Sequence, residues 1–319
     1  MLRMNNKYLS WAFIPVAFWM MSASCNHRSS ADNQERDESI EKRSTAPASA
    51  KRTHIPQYES ADSIKVVNLL SQARRLPSST NWMIHFGRQF LGIPYVAHTL
   101  ENNPNERFLK VNLRELDCTT FVENVLALTM CMKQQTYSFD AFTRHLETIR
   151  YNKHDNLKEY PQRLHYFTSW ADDNARAGIV EELQSPNPPF TAVQTLNVNY
   201  MTKHSDQYSM LRGQKQWIEQ IAQVEKKLTG RKYRYIPIAR LGDTKYLRST
   251  VKDGDIIIII TDWNGLDTKH IALALWKKDG LHIMHASSVS KKVIEDSRTL
   301  QKYLQGRQNT PGVRVLRVK

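Results

Sequence analysis

Apolar positions in the first half of the globular chain recur at helical spacing, and turn residues divide them into three helices. A first helix is predicted over residues 61–75, and a second from residue 79 or 80 to residue 92. Asp117 is a good N-cap, and the mostly apolar residues 118–130 that follow it predict a buried helix. Cys118 therefore falls in the first turn of this third helix.

The last part of the chain changes from helical spacing to short apolar runs bounded by turn residues. Strands are predicted over residues 256–260, 270–276, 281–286 and 313–318. Helices followed by an antiparallel sheet form an α+β pattern. We therefore predict an α+β fold with a helical N-terminal half and an antiparallel C-terminal sheet.

A hairpin between the second and third predicted strands brings two histidines together. If residues 277–280 form its loop, His270 and His285 become diagonal neighbours on one face of the sheet. A tighter Asp-Gly turn would keep that face but move the two histidines further apart. His282 has the opposite parity and is expected to point away.

The N-terminus differs from the rest of the chain. Two basic residues precede an apolar run at residues 9–23, and small residues lead directly to Cys25. The run is short for a bilayer span, which needs about 20 apolar residues, and its layout is typical of a signal peptide. It resembles a bacterial lipoprotein signal, in which Cys25 becomes the lipidated first residue. We therefore predict a signal peptide over residues 1–25, a disordered polar tether over 26–60 and a folded domain over 61–319.

The charge of the chain narrows its partners. The formal net charge is +14, and the signal segment carries two basic and no acidic residues, so the mature chain keeps +12. An exported protein rarely meets nucleic acid, and no basic stretch matches a nucleic-acid motif. Anionic wall polymers, lipid phosphates or plain solvated surface charge account for the balance. We expect a monomer that does not bind nucleic acid.

Cys118 is the candidate nucleophile. The first turn of a helix offers backbone N–H groups and a positive dipole end, which are expected to lower the thiol pKa and to stabilise an oxyanion. The alternative is a buried structural cysteine. Cys131 lies deep in the same predicted helix, about 20 Å away at 1.5 Å per residue, so a disulfide with its limit of about 7 Å is excluded. Both thiols should be free, and Cys131 is assigned to the core.

The candidate base is His270, because a polar residue that starts an apolar strand needs a reason. Around it, four short runs resemble, in the same order, the motifs of NlpC-type papain-like hydrolases. These runs are GIPY at 92–95, LDCTTFVE at 116–123, KHIA at 269–272 and HASS at 285–288. The run around Cys118, a long helical insert and the Gly-Leu-Asp before His270 resemble the N-acetylmuramoyl-L-alanine amidase-like branch. The resemblance covers the chain from about Trp82 to the C-terminus.

The resemblance implies a papain-like core and a role for each matched residue. Cys118 would be the nucleophile, His270 the general base and then acid, and His285 the residue that orients His270. Tyr95 would line the substrate site near the nucleophile. The domain over 61–319 would then be a cysteine hydrolase that needs no cofactor or metal and acts on peptidoglycan or muropeptides.

The long helical insertion, over residues 132–235, departs from a minimal hydrolase and is expected to narrow the cleft or choose the substrate. Arg163 and Trp170 in the insertion, and Glu123 before it, are site candidates only by residue type, and a salt bridge or core packing is the plainer interpretation of each. The predicted reaction is hydrolysis of the amide between N-acetylmuramic acid and L-Ala.

Three rival functions stay open. The same machinery could cut the bond between D-Glu and a diamino acid. A zinc amidase is a second rival, although the chain has no His-Glu-x-x-His run. The third is a wall-binding lipoprotein without turnover. For the enzyme, the expected location is outside the cytoplasm, anchored by a lipid at Cys25 to a bacterial membrane and facing the periplasm or cell surface.

Overall fold

The computed structural model describes residues 54–101, 106–152, 159–242 and 244–319. The predicted signal peptide and most of the predicted tether lie outside these residues. No helix within the described ranges is long and apolar enough to cross a membrane.

The folded domain begins earlier than the predicted boundary at residue 61. Strand β1, Ile55–Gln57, pairs in parallel with β2, Phe108–Lys110. His54 is buried, and its backbone N–H and ring Nδ1 both contact Glu147 Oε1, at 2.8 and 2.7 Å. The last residues assigned to the tether therefore belong to the domain, because they gain strand pairing and a buried contact with Glu147.

Nine helices follow in the described part of the chain. They are α1 Ser60–Ala73, α2 Trp82–Arg88, α3 Cys118–Lys133, α4 Phe139–Arg150, α5 Phe167–Arg176, α6 Tyr200–Lys203, α7 Lys215–Leu228, α8 Lys245–Thr250 and α9 Leu300–Leu304. Helix α2 starts after the N-cap Asn81 and is shorter than predicted. Beyond it the chain continues in tight turns closed by backbone bonds three residues apart, so the helical pattern extends past the helix itself.

The remaining strands form one sheet whose pairings are antiparallel. They are β3 Val180–Glu182, β4 Ala192–Thr195, β5 Lys232–Pro237, β6 Ile256–Ile260, β7 Thr268–Lys277, β8 Gly280–Ser287, β9 Lys292–Glu295 and β10 Gly312–Val318. Their order is β4-β5-β10-β6-β7-β8-β9, and β3 also pairs with β10. The four predicted strands are therefore confirmed as β6, β7, β8 and β10.

The hairpin register is the predicted one, but its loop is shorter. The prediction places Trp276 opposite Leu281, and the structure pairs these two residues. It also pairs Lys277 with Gly280, which leaves a two-residue turn at 278–279 instead of a four-residue loop. Gly280 takes a φ of 137°, a conformation that a side chain would disfavour and that lets the strand start one residue earlier.

The sequence predicts a helical insertion over residues 132–235, but the structure shows both helices and strands there. The insertion carries β3, β4 and the first residues of β5 in addition to α4, α5, α6 and α7. These strands extend the sheet beyond β10. Because β3 and β4 have only three and four residues, with polar side chains among them, no strand pattern stands out in the sequence.

The sheet is covered on both faces, which explains the continuous run of isoleucines in β6. Ile256, Ile258 and Ile260 belong to the cluster that includes α2 and α3. Ile257 and Ile259 belong to the cluster with α8 and α9. Helix α3 is buried along nearly its whole length, and it brings its N-terminus to the start of β7, where Cys118 contacts the main chain of Ile271.

Candidate active site

Cys118 is the first residue of α3, as predicted, and a reciprocal cap holds it there. The Asp117 carboxylate accepts a 2.7 Å hydrogen bond from the Thr120 backbone N–H, and the Thr120 hydroxyl accepts one of 2.9 Å from the Asp117 backbone N–H. These bonds satisfy helix-end donors and fix the first turn. Cys118 remains partly exposed, whereas the helix from Thr120 onward is buried.

The two histidines on the hairpin are in direct contact. His270 Nε2 lies 2.7 Å from His285 Nδ1, and the ring planes are nearly perpendicular at 84°. His285 is 1% exposed. His282 points away, with Nε2 at 2.9 Å from Asp279 Oδ1 and Nδ1 at 3.0 Å from the Asp296 carbonyl oxygen. The predicted placement of the three histidines is confirmed.

Cys118 and His270 open on the same cavity of about 270 Å³. The N-terminus of α3 and the residues around the start of β7 form one side of its wall. Residues 163–167, from the insertion, form part of the other side. Because His270 Nε2 is occupied by His285, Nδ1 is the nitrogen left to act on a thiol.

Both reactive groups are held neutral. Burial, reinforced by the Asp117 carboxylate, raises the pKa of the Cys118 thiol to about 12. The expected lowering by the helix N-terminus is therefore wrong for this state, because contacts from Ile271 and Thr119 that favour the thiolate are outweighed. Burial, with the nearby His285 and Arg307, lowers the pKa of His270 well below its usual value. The pair is thus a thiol beside a neutral imidazole.

Tyr95 lies near the nucleophile but is not among the described residues that line the cavity. A bridge to Leu116 and a 2.9 Å bond from its N–H to the Lys291 carbonyl place its backbone. Burial raises the pKa of its hydroxyl, and Cys118 and Asp117 raise it further. Its phenol is therefore a neutral neighbour of the thiol.

Buried ion pairs tie arginines of the insertion to glutamates in the rest of the cavity wall. Glu123 Oε2 accepts a 2.8 Å bond from Arg150 Nε, and Glu101 accepts bonds from Arg163 Nη2 at 2.6 Å and the Tyr160 hydroxyl at 2.8 Å. Arg163 and Glu123 are 7% and 2% exposed. The salt-bridge interpretation of these two residues is correct, and both also line the cavity.

Trp170, the third residue chosen by type, belongs to the core. It is fully buried and stacks on Phe167 with 4.7 Å between ring centroids. It does not contribute to the described cavity wall.

Two aspartates at the site were not identified from the sequence as functional. Asp296 follows β9, and its Oδ2 lies 3.8 Å from His285 Nε2. Asp267 lines the cavity, and its carboxylate accepts a 2.7 Å bond from the Thr168 N–H at the start of α5. The Gly-Leu-Asp run before His270 was a signal for Asp267. Asp296 gave none, because its partner comes from another strand and no spacing rule joins them.

Cys118 and Cys131 are both free, and both lie on α3, as predicted. Cys131 is fully buried, which confirms its assignment to the core. No group of three or more histidine, cysteine or acidic side chains among the described residues is arranged to hold a metal ion.

The comparisons with known proteins place this α+β domain among amidase-type hydrolases. The chain belongs to the AmiA-like, N-acetylmuramoyl-L-alanine amidase-like family, whose model matches residues 85–313. No curated protein matches it.

Solved structures similar to this chain include the following three. An N-acetylmuramoyl-L-alanine amidase from Bacteroides uniformis is 35% identical, with a TM-score of 0.68, over 75% of this chain and 97% of its own. A Bacteroides fragilis protein that carries a xylanase name is 36% identical, with a TM-score of 0.67, over 73% of this chain and 99% of its own. A Legionella pneumophila protein, 22% identical with a TM-score of 0.62 over 80% of this chain and 94% of its own, shares the fold.

Proposed function

We propose that the protein is a cysteine amidase that hydrolyses the amide between N-acetylmuramic acid and L-Ala in peptidoglycan fragments. The observation that carries the proposal is the cavity shared by Cys118 and His270 in a chain of the amidase-like family. The order of the elements, a cysteine helix followed by two histidine strands, supports an NlpC-type papain-like core.

The first half of the reaction makes a thioester. Cys118 Sγ attacks the lactyl carbonyl carbon, and its proton passes to His270 Nδ1 as the bond forms. Since both groups start neutral, proton transfer accompanies the attack and no thiolate accumulates beforehand. His270 then gives the proton to the L-Ala nitrogen, and the peptide leaves as an amine.

The second half restores the enzyme. Water attacks the thioester carbonyl and gives a proton to His270, which returns it to the departing Cys118 sulfur. The muramic acid leaves with its lactyl carboxyl group. His285, in contact with His270 Nε2, keeps the ring oriented through both halves.

The xylanase name of the Bacteroides fragilis relative suggests a second reaction, and the contacts of the cavity carboxylates argue against it. A glycosidase needs two carboxyl groups that flank the scissile bond. Here Glu123 is bound to Arg150, Glu101 to Arg163 and Tyr160, and each cavity aspartate caps a helix. These contacts leave no evident carboxylate pair for glycoside hydrolysis.

Digestion of defined muropeptides, followed by mass spectrometry, tests the reaction. The expected products are a free peptide that begins with L-Ala and a sugar with an intact lactyl acid. Cleavage between D-Glu and the diamino acid would support the endopeptidase instead. Activity lost only in chelator would favour a metal enzyme, and wall binding without products would favour a binding protein.

We further propose that the enzyme is exported and anchored by a lipid at Cys25. The support is the sequence layout alone, since residues 1–53 lie outside the described part. The native protein is expected to fractionate with membranes and to incorporate labelled fatty acid, and Cys25→Ala is expected to lose the label. A soluble, unlabelled wild-type protein would contradict the anchor.

A further inference from the structure

We propose that Asp296 is a positioning residue that sets the tautomer of His285 and, through it, the tautomer of His270. In this arrangement His270 presents a bare Nδ1 to Cys118. The inference rests on the proposed function for its effect on hydrolysis, whereas the tautomers themselves are independent of the reaction.

His285 has one ring nitrogen that makes no contact with His270. Nδ1 contacts His270, but Nε2 is buried with no hydrogen-bond partner among the described residues. Among the described residues, the charged acceptor beside Nε2 is Asp296 Oδ2 at 3.8 Å, on a residue that is 4% exposed. The Tyr303 ring also packs on His285, edge-on with 5.4 Å between ring centroids. The carboxylate is therefore the group that acts on Nε2.

The Asp296 carboxylate decides which ring nitrogen of His285 carries the proton. A bare Nε2 would turn its lone pair towards the carboxylate, which is repulsive, while an N–H at Nε2 is attracted to it. His285 then has a bare Nδ1 that accepts from His270 Nε2–H. A neutral His270 with its proton on Nε2 carries a free lone pair on Nδ1. In the reverse tautomer, His270 Nδ1 would carry a proton and could not accept one from the thiol.

Arg298 holds the Asp296 carboxylate ionised and in place. Arg298 donates to Oδ1 from its backbone N–H at 2.9 Å and from Nε at 3.0 Å, and to Oδ2 from Nη2 at 2.9 Å. Burial alone would favour the acid, but contacts with His285 and Arg298 hold the pKa of Asp296 below its usual value. The Asp296 N–H also donates to the Ile283 carbonyl at 2.8 Å.

Because of these contacts, Asp296→Asn tests the electrostatic effect of the carboxylate with little change of shape. Two Arg298 donors converge on Oδ1, so the amide oxygen of the new side chain must take that position. Its NH₂ group then stands where Oδ2 was, loses the bond from Arg298 Nη2 and points a donor at His285 Nε2. The shape is preserved, but the electrostatic preference is inverted, and His285 should move its proton to Nδ1. Asp296→Ala removes the preference without inverting it.

The experiment combines kinetics, stability and nitrogen NMR of histidine-labelled enzyme at neutral pH. The wild type should show a protonated Nε2 and a bare Nδ1 at His285, and Asp296→Asn should show the reverse. In Asp296→Asn, kcat should fall about 10²- to 10⁴-fold with little change in KM. Asp296→Ala should lose about 10-fold. Its Tm should nevertheless be the lower of the two, because it loses every Arg298 contact.

The matched control is Asp279→Asn, since Asp279 also faces a histidine Nε2 but on the other side of β8. Its activity and the His285 tautomer should stay unchanged. Identical tautomers in the wild type and Asp296→Asn, or an alanine variant less active than the asparagine variant, would overturn the inference. If the wild type and Asp296→Asn show the expected opposite tautomers but the wild type cleaves no muropeptide, the proposed function is wrong and this inference still stands.

Discussion

The two walls of the cavity differ in the charge and mobility of their buried groups. On the α3 and β7 side, burial keeps a thiol and an imidazole neutral, so that one proton is free to move. On the insertion side, Arg150 and Arg163 are locked to glutamates in buried pairs that have no freedom to move. Under the proposed mechanism, the proton transfers take place on the first wall, while the second provides a rigid, charged surface.

The strongest test of this division is Cys118→Ala. Hydrolysis should fall to background, because no other described thiol reaches the cavity, and the small change should leave the fold intact. Muropeptide turnover and a thermal melt measure the two effects. Cys131→Ala is the control on the same helix and should retain activity. Residual turnover in Cys118→Ala would move the chemistry away from this wall.

The histidines should show a graded response. His270→Ala removes both the acceptor of the thiol proton and the donor to the leaving amine, so turnover should fall to background. His285→Ala should cost less, because this ring orients and does not transfer a proton. Steady-state kinetics of both variants give the ranking. A fully active His285→Ala alongside an essential His282 would contradict the assignment of the two faces.

A contact in either wall could be predicted from the sequence when its residues are close together in the chain. The α3 cap and the β7–β8 register depend on neighbours in sequence, so Asp117, Cys118, His270 and His285 could be placed from spacing alone. Glu101 and Arg163 meet across 62 positions, and Asp296 reaches His285 from another strand. No local pattern encodes such pairs. The expectation of a lowered Cys118 pKa was wrong for a related reason: burial raises this pKa, and burial depends on the whole fold.

Breaking the insertion wall should cost stability more than chemistry. Arg163→Met leaves Glu101 and Glu106 without the guanidinium between them, and losing one partner of a buried pair costs about 3–5 kcal/mol. Urea unfolding measures the loss, and turnover should show a raised KM with kcat largely kept.

The matched control is Arg144→Met, which removes an arginine that is 42% exposed in its pair with Asp140, itself 53% exposed. A surface pair of this kind contributes about 0–1 kcal/mol. If Arg163→Met lowers kcat while KM and stability stay at wild-type values, the insertion wall takes part in the chemistry and the two walls are not distinct.

The smallest expected effect is the acid sensitivity that both walls share. Burial, with Arg163 nearby, lowers the pKa of His165 in the insertion wall to about 3, and the pKa of His270 is also lowered.

Below about pH 6.5, the ordinary histidine pKa, the unfolded chain binds protons that the folded chain does not bind. The free energy of unfolding must therefore fall as pH falls. Each buried histidine contributes at most about 1.4 kcal/mol per pH unit. Melts between pH 6.5 and 6 should show Tm dropping by a few degrees. His165→Gln keeps a side-chain donor for the Tyr160 carbonyl, which His165 Nε2 contacts at 2.8 Å, and it should make the pH slope shallower without removing the part due to His270. An unchanged slope in His165→Gln would mean that His165 binds protons equally in the folded and unfolded chain, and that this wall is more open to water than the α3 and β7 wall.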